Sequence, residues 1–353
     1  MTRIAIDAMG GDNAPKAIVE GAVWAAMEYN IPIELVGKLY DIERELDRID
    51  QEGIVASIGG GLFPPKRIRV NTKSLDIKKT HASEVIEMGE APGQAIRKKK
   101  NSSIVLSVNA VVTGSSDAVV AAGSTGAAMG ASLFGMGRLH GIERPAIATV
   151  IPTMKGPLVL IDSGANTDCT PSMLYQFGLM GSVYAKSVLG IKDPRVALLN
   201  IGEEEGKGDE LAKETYKLFD ENKDNINFIG NAEGKEIFLG NCDVIVCDGF
   251  VGNVTLKTIE GVARMLFYMI KQEFYHDFFS KIIGLLVKPI LKRIYLKINY
   301  EEFGGALLLG VKGITVICHG RSSAYAIKNA VKVAYDAVET GINKTIASYY
   351  GEN

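Results

Sequence analysis

Cysteine and histidine are scarce, with four of each in 353 residues. Cys169, Cys242, Cys247 and Cys318 form no C-x-x-C pair and the histidines are scattered, so the usual zinc spacings are excluded. Cys242 and Cys247 bracket Val244–Val246, and such thiols read as buried and reduced. Net charge is almost absent: 39 Lys and Arg against 41 Asp and Glu leave −2, too little to draw the chain to nucleic acid. No uninterrupted apolar run approaches the roughly 20 residues of a membrane span. Neither an h-region nor a cleavage site follows Met1, and the expected location is cytoplasmic. Fixed-period repeats and low-complexity linkers are missing as well.

What the chain does have is 47% hydrophobic residues, enough for a packed interior. Its length predicts one large α/β unit or two lobes. Short β-branched runs alternate with helical stretches: Ile4–Ile6, then 14–29; Ile33–Val36, then 41–48; Ala118–Ala121, then 126–136. The pattern continues with a strand pair at 146–151 and 158–161, helix 171–188, and strand 195–200 before helix 209–221. Strand 244–247 precedes helix 253–273, and strand 314–318 precedes helix 323–340. Such alternation predicts a doubly wound, mostly parallel sheet with helices on both faces. Gly59–Gly61 and Pro64–Pro65 mark a loop.

Six of the strands break into glycine-rich polar turns: Asp7–Asp12, Ala122–Gly126, Asp162–Asn166, Asn200–Gly208, Asp248–Asn253 and His319–Ser323. In open α/β sheets ligands bind at the carboxyl ends of strands. Backbone N–H groups freed by glycine, with helix N-termini beyond them, favour an anion there. Six such turns predict a composite site for a phosphate-like group. The candidate substrate residues are Asp7, Gly10, Gly11, Asp12, Gly123, Ser124, Thr125, Gly126, Asn166, Glu203, Asp248, Gly249, Arg321, Ser322 and Ser323.

Several of these have two readings. Ser124 and Thr125 suit a phosphate oxygen, but a plain helix cap has the same sequence. Asp248–Asn253 ends in an amide that either donates to a ligand or caps the next helix. Lys207, flanked by Gly206 and Gly208, offers a point charge for phosphate or a developing oxyanion. It is not a Walker A lysine, since the preceding G-x-x-x-x-G and a following Ser or Thr are missing. Cys318 and His319 point to opposite faces if both lie on a strand, which leaves His319 alone as a general acid or a donor to the ligand. No G-x-G-x-x-G follows the first strand, and no carboxylate cluster suggests a metal cage, so no cofactor is expected.

The segment 278–298 stands apart. It carries Lys281, Lys288, Lys292, Arg293 and Lys297 with no acid between Asp277 and Glu301. Because Pro289 should break a helix, the segment 274–298 reads as a helical hairpin with its tip near Gly284–Val287. Either it packs on the body or a second copy, or Ile283, Leu285, Leu286 and Val287 contact a membrane or an acidic partner.

Taken together the loops resemble the bacterial phosphate acyltransferase family PlsX. The resemblance rests on Asp7–Asp12, Glu90–Pro92 with Arg97–Ser103, Ala122–Ala127, Asp162–Cys169, Asn200–Gly208, Asp248–Asn253 and His319–Gly320. Ser124 departs from it, since the family usually carries Asn there. The resemblance implies transfer of a long-chain fatty acyl group from acyl carrier protein to inorganic phosphate, giving acyl phosphate for phospholipid synthesis. It also implies a homodimer of two-lobed subunits like phosphotransacetylases and isopropylmalate dehydrogenases, with the basic hairpin touching the inner face of the cell membrane. Direct attack by phosphate on the thioester assigns Lys207 and Asn253 to the carbonyl and His319 to the departing thiol. A phosphotransacetylase acting on coenzyme A thioesters, a nicotinamide-dependent hydroxyacid dehydrogenase and a non-catalytic phosphate or lipid sensor are the competing readings.

Overall fold

The computed structural model describes residues 1–56, 66–298 and 300–351, so the loop expected at 59–65 lies outside the described residues. The strands are β1 (Ile4–Asp7), β2 (Ile33–Gly37), β3 (Ile54–Ala56), β4 (Lys66–Ile68), β5 (Ile77–His81), β6 (Ala118–Ala121) and β7 (Ala146–Pro152). They continue as β8 (Pro157–Ile161), β9 (Val196–Asn200), β10 (Phe228–Glu233), β11 (Val244–Val246), β12 (Ala306–Leu309) and β13 (Ile314–Ile317). The helices are α1 (Lys16–Tyr29), α2 (Leu39–Glu52), α3 (Pro92–Lys98), α4 (Ser103–Val112), α5 (Thr125–Met136) and α6 (Pro171–Ser187). After them come α7 (Glu210–Glu221), α8 (Gly249–Tyr275), α9 (Phe278–Ile298), α10 (Ala324–Glu339) and α11 (Ile342–Ser348).

All but β3 and β4 join one sheet of 11 strands, ordered β10-β9-β11-β8-β7-β12-β13-β6-β1-β2-β5. Strands such as β1, β6, β8, β11 and β13 are apolar on both faces because helices cover both. The edge strand β5 instead exposes Lys78 and Lys79, charges that discourage pairing with another chain.

Direction, rather than order, positions the site. β5, β2, β1, β6 and β13 are parallel, as are β8, β11, β9 and β10. Between the two groups lie three antiparallel pairings, β13 with β12, β12 with β7 and β7 with β8. An odd number of reversals makes the two halves run oppositely. Pairing register then aligns Ile6, Val120, Val316, Leu307, Ala148, Ile161, Val246 and Leu198 in one row across the sheet. β1, β6 and β13 end one residue beyond that row from one side, and β8 and β11 end on it from the other. The carboxyl ends of both halves therefore meet along one line.

Side-chain alternation divides the core accordingly. On one face Ile6, Val120, Val316, Ile161 and Val246 join a continuous cluster under α1, α6 and α10. On the other, Val119, Ala121 and Ile147 pack with α4 and α5, while Ile151, Leu160 and Ile245 form a separate cluster with Leu256 and Ile259 of α8. Between these two clusters the sheet presents Thr149, midway from Ile147 to Ile151. Each fully buried Val, Leu or Ile contributes about 1.5–3 kcal/mol, so a polar residue here gives up stability to leave a gap.

Four expectations need correction. The helix expected at 41–48 extends over Leu39–Glu52. α4 escaped the sequence reading because Ser103–Val112 is apolar around most of its circumference and shows no helical stripe. α8 begins at Gly249, not at Asn253; Gly249 and Gly252 hide its first turn because glycine is a poor helix former. The hairpin turns at His276 and Asp277 rather than at Gly284–Val287, which lie within α9. Pro289 also sits inside α9, where the unmatched carbonyl four residues earlier belongs to Leu285, an exposed residue.

Candidate active site

A cavity of about 140 Å³ occupies the gap between the two halves. Thr125 enters it from the start of α5, Ser163 from the turn after β8, Asn253 from α8, and His319 and Ser322 from the turn after β13. Four of the six glycine turns thus share one space. The other two have different roles.

The Asp7–Asp12 turn supports the cavity from behind. Asp7 is buried, its Oδ1 accepts the N–H of Met9 at 3.1 Å, and burial pushes its carboxyl above the usual range. A side chain on Gly10 would meet Asp7 Oδ2 at 2.7 Å and the Gly123 nitrogen at 2.8 Å. Gly11, at φ +100°, lies against the carbonyls of Ala122 and Gly320. The Asp12 N–H donates to the Gly320 carbonyl at 2.7 Å, and Asp12 pairs with Arg321 at 3.4 Å. Three turns are locked together backbone to backbone, with Asp7 holding the loop instead of facing a ligand.

The Asn200–Gly208 turn stands outside the cavity, because β11 separates β9 from β8. Lys207, expected beside the carbonyl, faces Glu204 at 4.0 Å, and Glu203 lies 3.7 Å from Lys235. The lysine that does line the cavity is Lys257, one helical turn after Asn253 and on the same side of α8. That i, i+4 spacing was visible in the sequence once α8 was read as a helix.

Several predicted polar residues serve as helix caps. Ser124 accepts the Ala127 N–H, Asp248 accepts those of Phe250 and Val251 at 2.9 Å, and Ser323 accepts that of Ala326 at 3.2 Å. The open question at Ser124 and Thr125 therefore divides by residue: Ser124 caps and Thr125 faces the cavity. Its backbone N–H and that of Gly126 belong to the first helical turn, where donors lack intrahelical partners. Beside Asp248, the Gly249 N–H donates to the Asn166 carbonyl at 2.7 Å.

Asp162 organises the turn opposite. Its carboxylate accepts N–H groups of Ile147, Gly164, Ala165 and Asn166 at 2.7–3.1 Å, and the Asn166 side-chain amide at 2.9 Å. Burial raises its pKa against those donors. The result fixes Ser163, whose hydroxyl shares a 2.7 Å hydrogen bond with Thr149. Sequence reasoning passed over both: Thr149 is the polar interruption of an apolar strand, and Ser163 lies inside a turn already recognised.

His319 has a defined tautomer. Its Nδ1 accepts the Arg321 N–H at 3.1 Å, so in the neutral ring Nε2 carries the proton and can donate a hydrogen bond. The adjacent Cys318 is buried, and burial alone pushes its thiol up to about 12. A thiol held protonated is a poor nucleophile. The site therefore combines hydroxyls, free N–H groups, an amide, a cation and an imidazole N–H, a set suited to binding an oxyanion beside a polarised carbonyl.

A phosphotransacetylase from Streptococcus pyogenes has the same fold, with a TM-score of 0.59 at 15% identity over 96% of this chain and 94% of that one. The chain thus has the α/β fold of that phosphotransacetylase. A family model described as fatty acid synthesis protein matches residues 66–345. A phosphate acyltransferase of Pelotomaculum thermopropionicum is 49% identical over 346 residues, covering 98% of this chain and 94% of that protein. Another, from Halothermothrix orenii, is 47% identical over 341 residues, or 96% of each. The chain belongs to the phosphate acyltransferase family, as its loops suggested.

Proposed function

We propose that this phosphate acyltransferase takes a long-chain fatty acyl group from the thioester of acyl carrier protein and transfers it directly to inorganic phosphate. The observation that carries this reading is the single cavity where turns from oppositely directed half-sheets meet. Thr125, Ser322 and the N–H groups at the start of α5 hold phosphate. Asn253 and Lys257 polarise the thioester carbonyl, taking the place first assigned to Lys207. A phosphate oxygen attacks the carbonyl carbon, the C–S bond breaks, and the proton that hydrogen phosphate gives up on acylation passes to the departing thiolate, which the His319 Nε2–H stabilises by donating a hydrogen bond. Thiols leave readily (free pKa roughly 8.5), so positioning and charge control supply most of the catalysis. No acyl-enzyme forms.

The hairpin favours a long chain and a membrane-proximal reaction. Among the described residues no helix is long and apolar enough to cross a membrane. Yet Phe278, Phe279, Leu285 and Leu286 are all more than 70% exposed, close to Lys281 and Lys288. Basic charge beside apolar side chains suits peripheral contact with an anionic surface. Met265, Leu266 and Met269 on α8 are exposed too, and a second copy of the chain packed there would make the homodimer.

Purified protein given hexadecanoyl acyl carrier protein and phosphate should yield acyl phosphate, trapped as its hydroxamate. Equal turnover of the coenzyme A thioester would remove the carrier-protein assignment. A stable acyl adduct in the intact mass would refute direct transfer.

A further inference from the structure

A second cavity, of about 410 Å³, adjoins the catalytic one and shares Val150, Leu256 and Glu260 with it. Its walls are otherwise almost entirely apolar. β7 and the turn beyond it supply Ile151, Pro152 and Met154; α8 supplies Ile259 and Ala263; Phe238 and Ile294 close the far side. Leu256, Ile259 and Ala263 recur at i, i+3 and i+7, so they form one stripe of α8. Asn253 and Lys257, on the catalytic side of the same helix, fall on a neighbouring stripe.

We propose that this cavity holds the alkyl chain of the acyl donor, an inference that rests on the acyl-transfer reading above. A carbonyl between Asn253 and Lys257 places the chain's first methylenes at Leu256, where the two cavities join. Glu260 stays at that polar junction, and beyond it the lining offers a continuous hydrocarbon surface. The rim is built into the fold: the Met154 N–H donates to the Phe238 carbonyl at 2.9 Å, which ties the β7–β8 turn to the segment before β11. Met154 and Phe238 are exposed at the mouth, where an alkyl chain would cover them. Ile294 belongs to α9, so the cavity also opens toward the basic hairpin. One helix thereby connects the thioester site, the chain-binding walls and the hairpin.

Ala263→Trp tests the proposal, since Ala263 lines only the second cavity. Each buried methylene strengthens binding roughly fourfold, so loss of two or three should lower kcat/KM for a hexadecanoyl thioester by roughly tenfold or more. Turnover of a butanoyl thioester should be unchanged. An unmoved ratio of the two substrates in the folded variant overturns the inference. A second measurement uses the wild-type chain: a hexadecanoyl thioester bearing a terminal diazirine should, on irradiation, label residues 150–154, 238, 259–263 or 294. Labelling confined to other segments also overturns it, whether or not Ala263→Trp folds. Failure of the parent reading would look different, since the wild-type enzyme would then form no acyl phosphate from either thioester.

Discussion

Gly164 lies directly beneath Asn253: a β-carbon on Gly164 would sit 2.7 Å from the Asn253 side-chain nitrogen. The φ of Gly164, +145°, is in addition one that side chains disfavour. The turn after β8 therefore sets the height of the amide in the cavity. Gly164→Ala should push Asn253 off its position, and displacements of this order cost about 10²-fold in rate. Steady-state assays should show the loss in kcat while circular dichroism stays native. Unchanged turnover would separate Asn253 from the carbonyl.

Asn253 and Lys257 share one side of α8, whereas Lys207 lies in another turn beside Glu204. If the first two polarise the carbonyl, Asn253→Ala or Lys257→Met should each lower kcat by about 10²–10³, the usual cost of one oxyanion donor. Lys207→Ala should leave turnover near that of the wild type. The reverse pattern would return the role to Lys207 and require that its turn close over the cavity.

The difference between these two lysines shows how far the sequence could be read. Strand–turn–helix alternation was legible because β1, β6, β8, β11 and β13 are short apolar runs ending in glycine. Convergence of the turns was also expected, but their selection was not. Which turns share a cavity depends on the register through β12 and β7: 146–151 was legible as a strand, but Ala306–Leu309 was not, and no local signature sets the direction of either. The Asn200–Gly208 turn looks as chemical as its neighbours and is excluded only by strand order. Caps were ambiguous for a related reason, since Ser124 and Thr125 are chemically similar and helix geometry alone decides which one faces inward.

His319 and Cys318 are neighbours with opposite fates. The ring lines the cavity with Nε2–H available, while the buried thiol is pushed up to about 12. His319→Ala should lower turnover by about 10²–10³, the usual cost of losing one hydrogen-bond donor to developing negative charge. The deficit should shrink with a thioester of a more acidic thiol, whose thiolate departs with less stabilisation. Cys318→Ala should keep its activity, and intact mass should show no acyl adduct in either protein. A deficit indifferent to the leaving group would make His319 a positioning residue.

Glu34 gives a pH signature independent of catalysis. Burial works against its ionisation, but Thr80, Ser115, Lys78 and Ser116 outweigh it and hold the carboxyl at about 2, below the ordinary 4.5. A depressed folded-state pKa contributes stability that is fully present above 4.5 and is lost as pH falls toward 2. Glu34→Gln should therefore lower Tm at neutral pH, and the gap from wild type should close across that acid window. A gap constant with pH would mean that the hydrogen-bond geometry, and not the charge, is what Glu34 supplies.

The hairpin prediction turns on the same α8 that carries Asn253. Its tip at His276 and Asp277 puts Phe278 and Phe279 at the start of α9, with Leu285 and Leu286 about two turns on. Basic residues near an anionic surface contribute about 1 kcal/mol each, and buried apolar side chains add to that. Leu285→Glu with Leu286→Glu introduces two acids into an acid-free segment and removes its most exposed aliphatic pair. Flotation with phosphatidylglycerol vesicles should fall sharply, and raised salt should weaken the wild type in the same direction. Acyl-phosphate synthesis from the carrier-protein thioester in solution should persist, because neither leucine lines the catalytic cavity. Light scattering distinguishes the other use of this surface: a shift from dimer to monomer with unchanged flotation would assign the two leucines to a second copy of the chain.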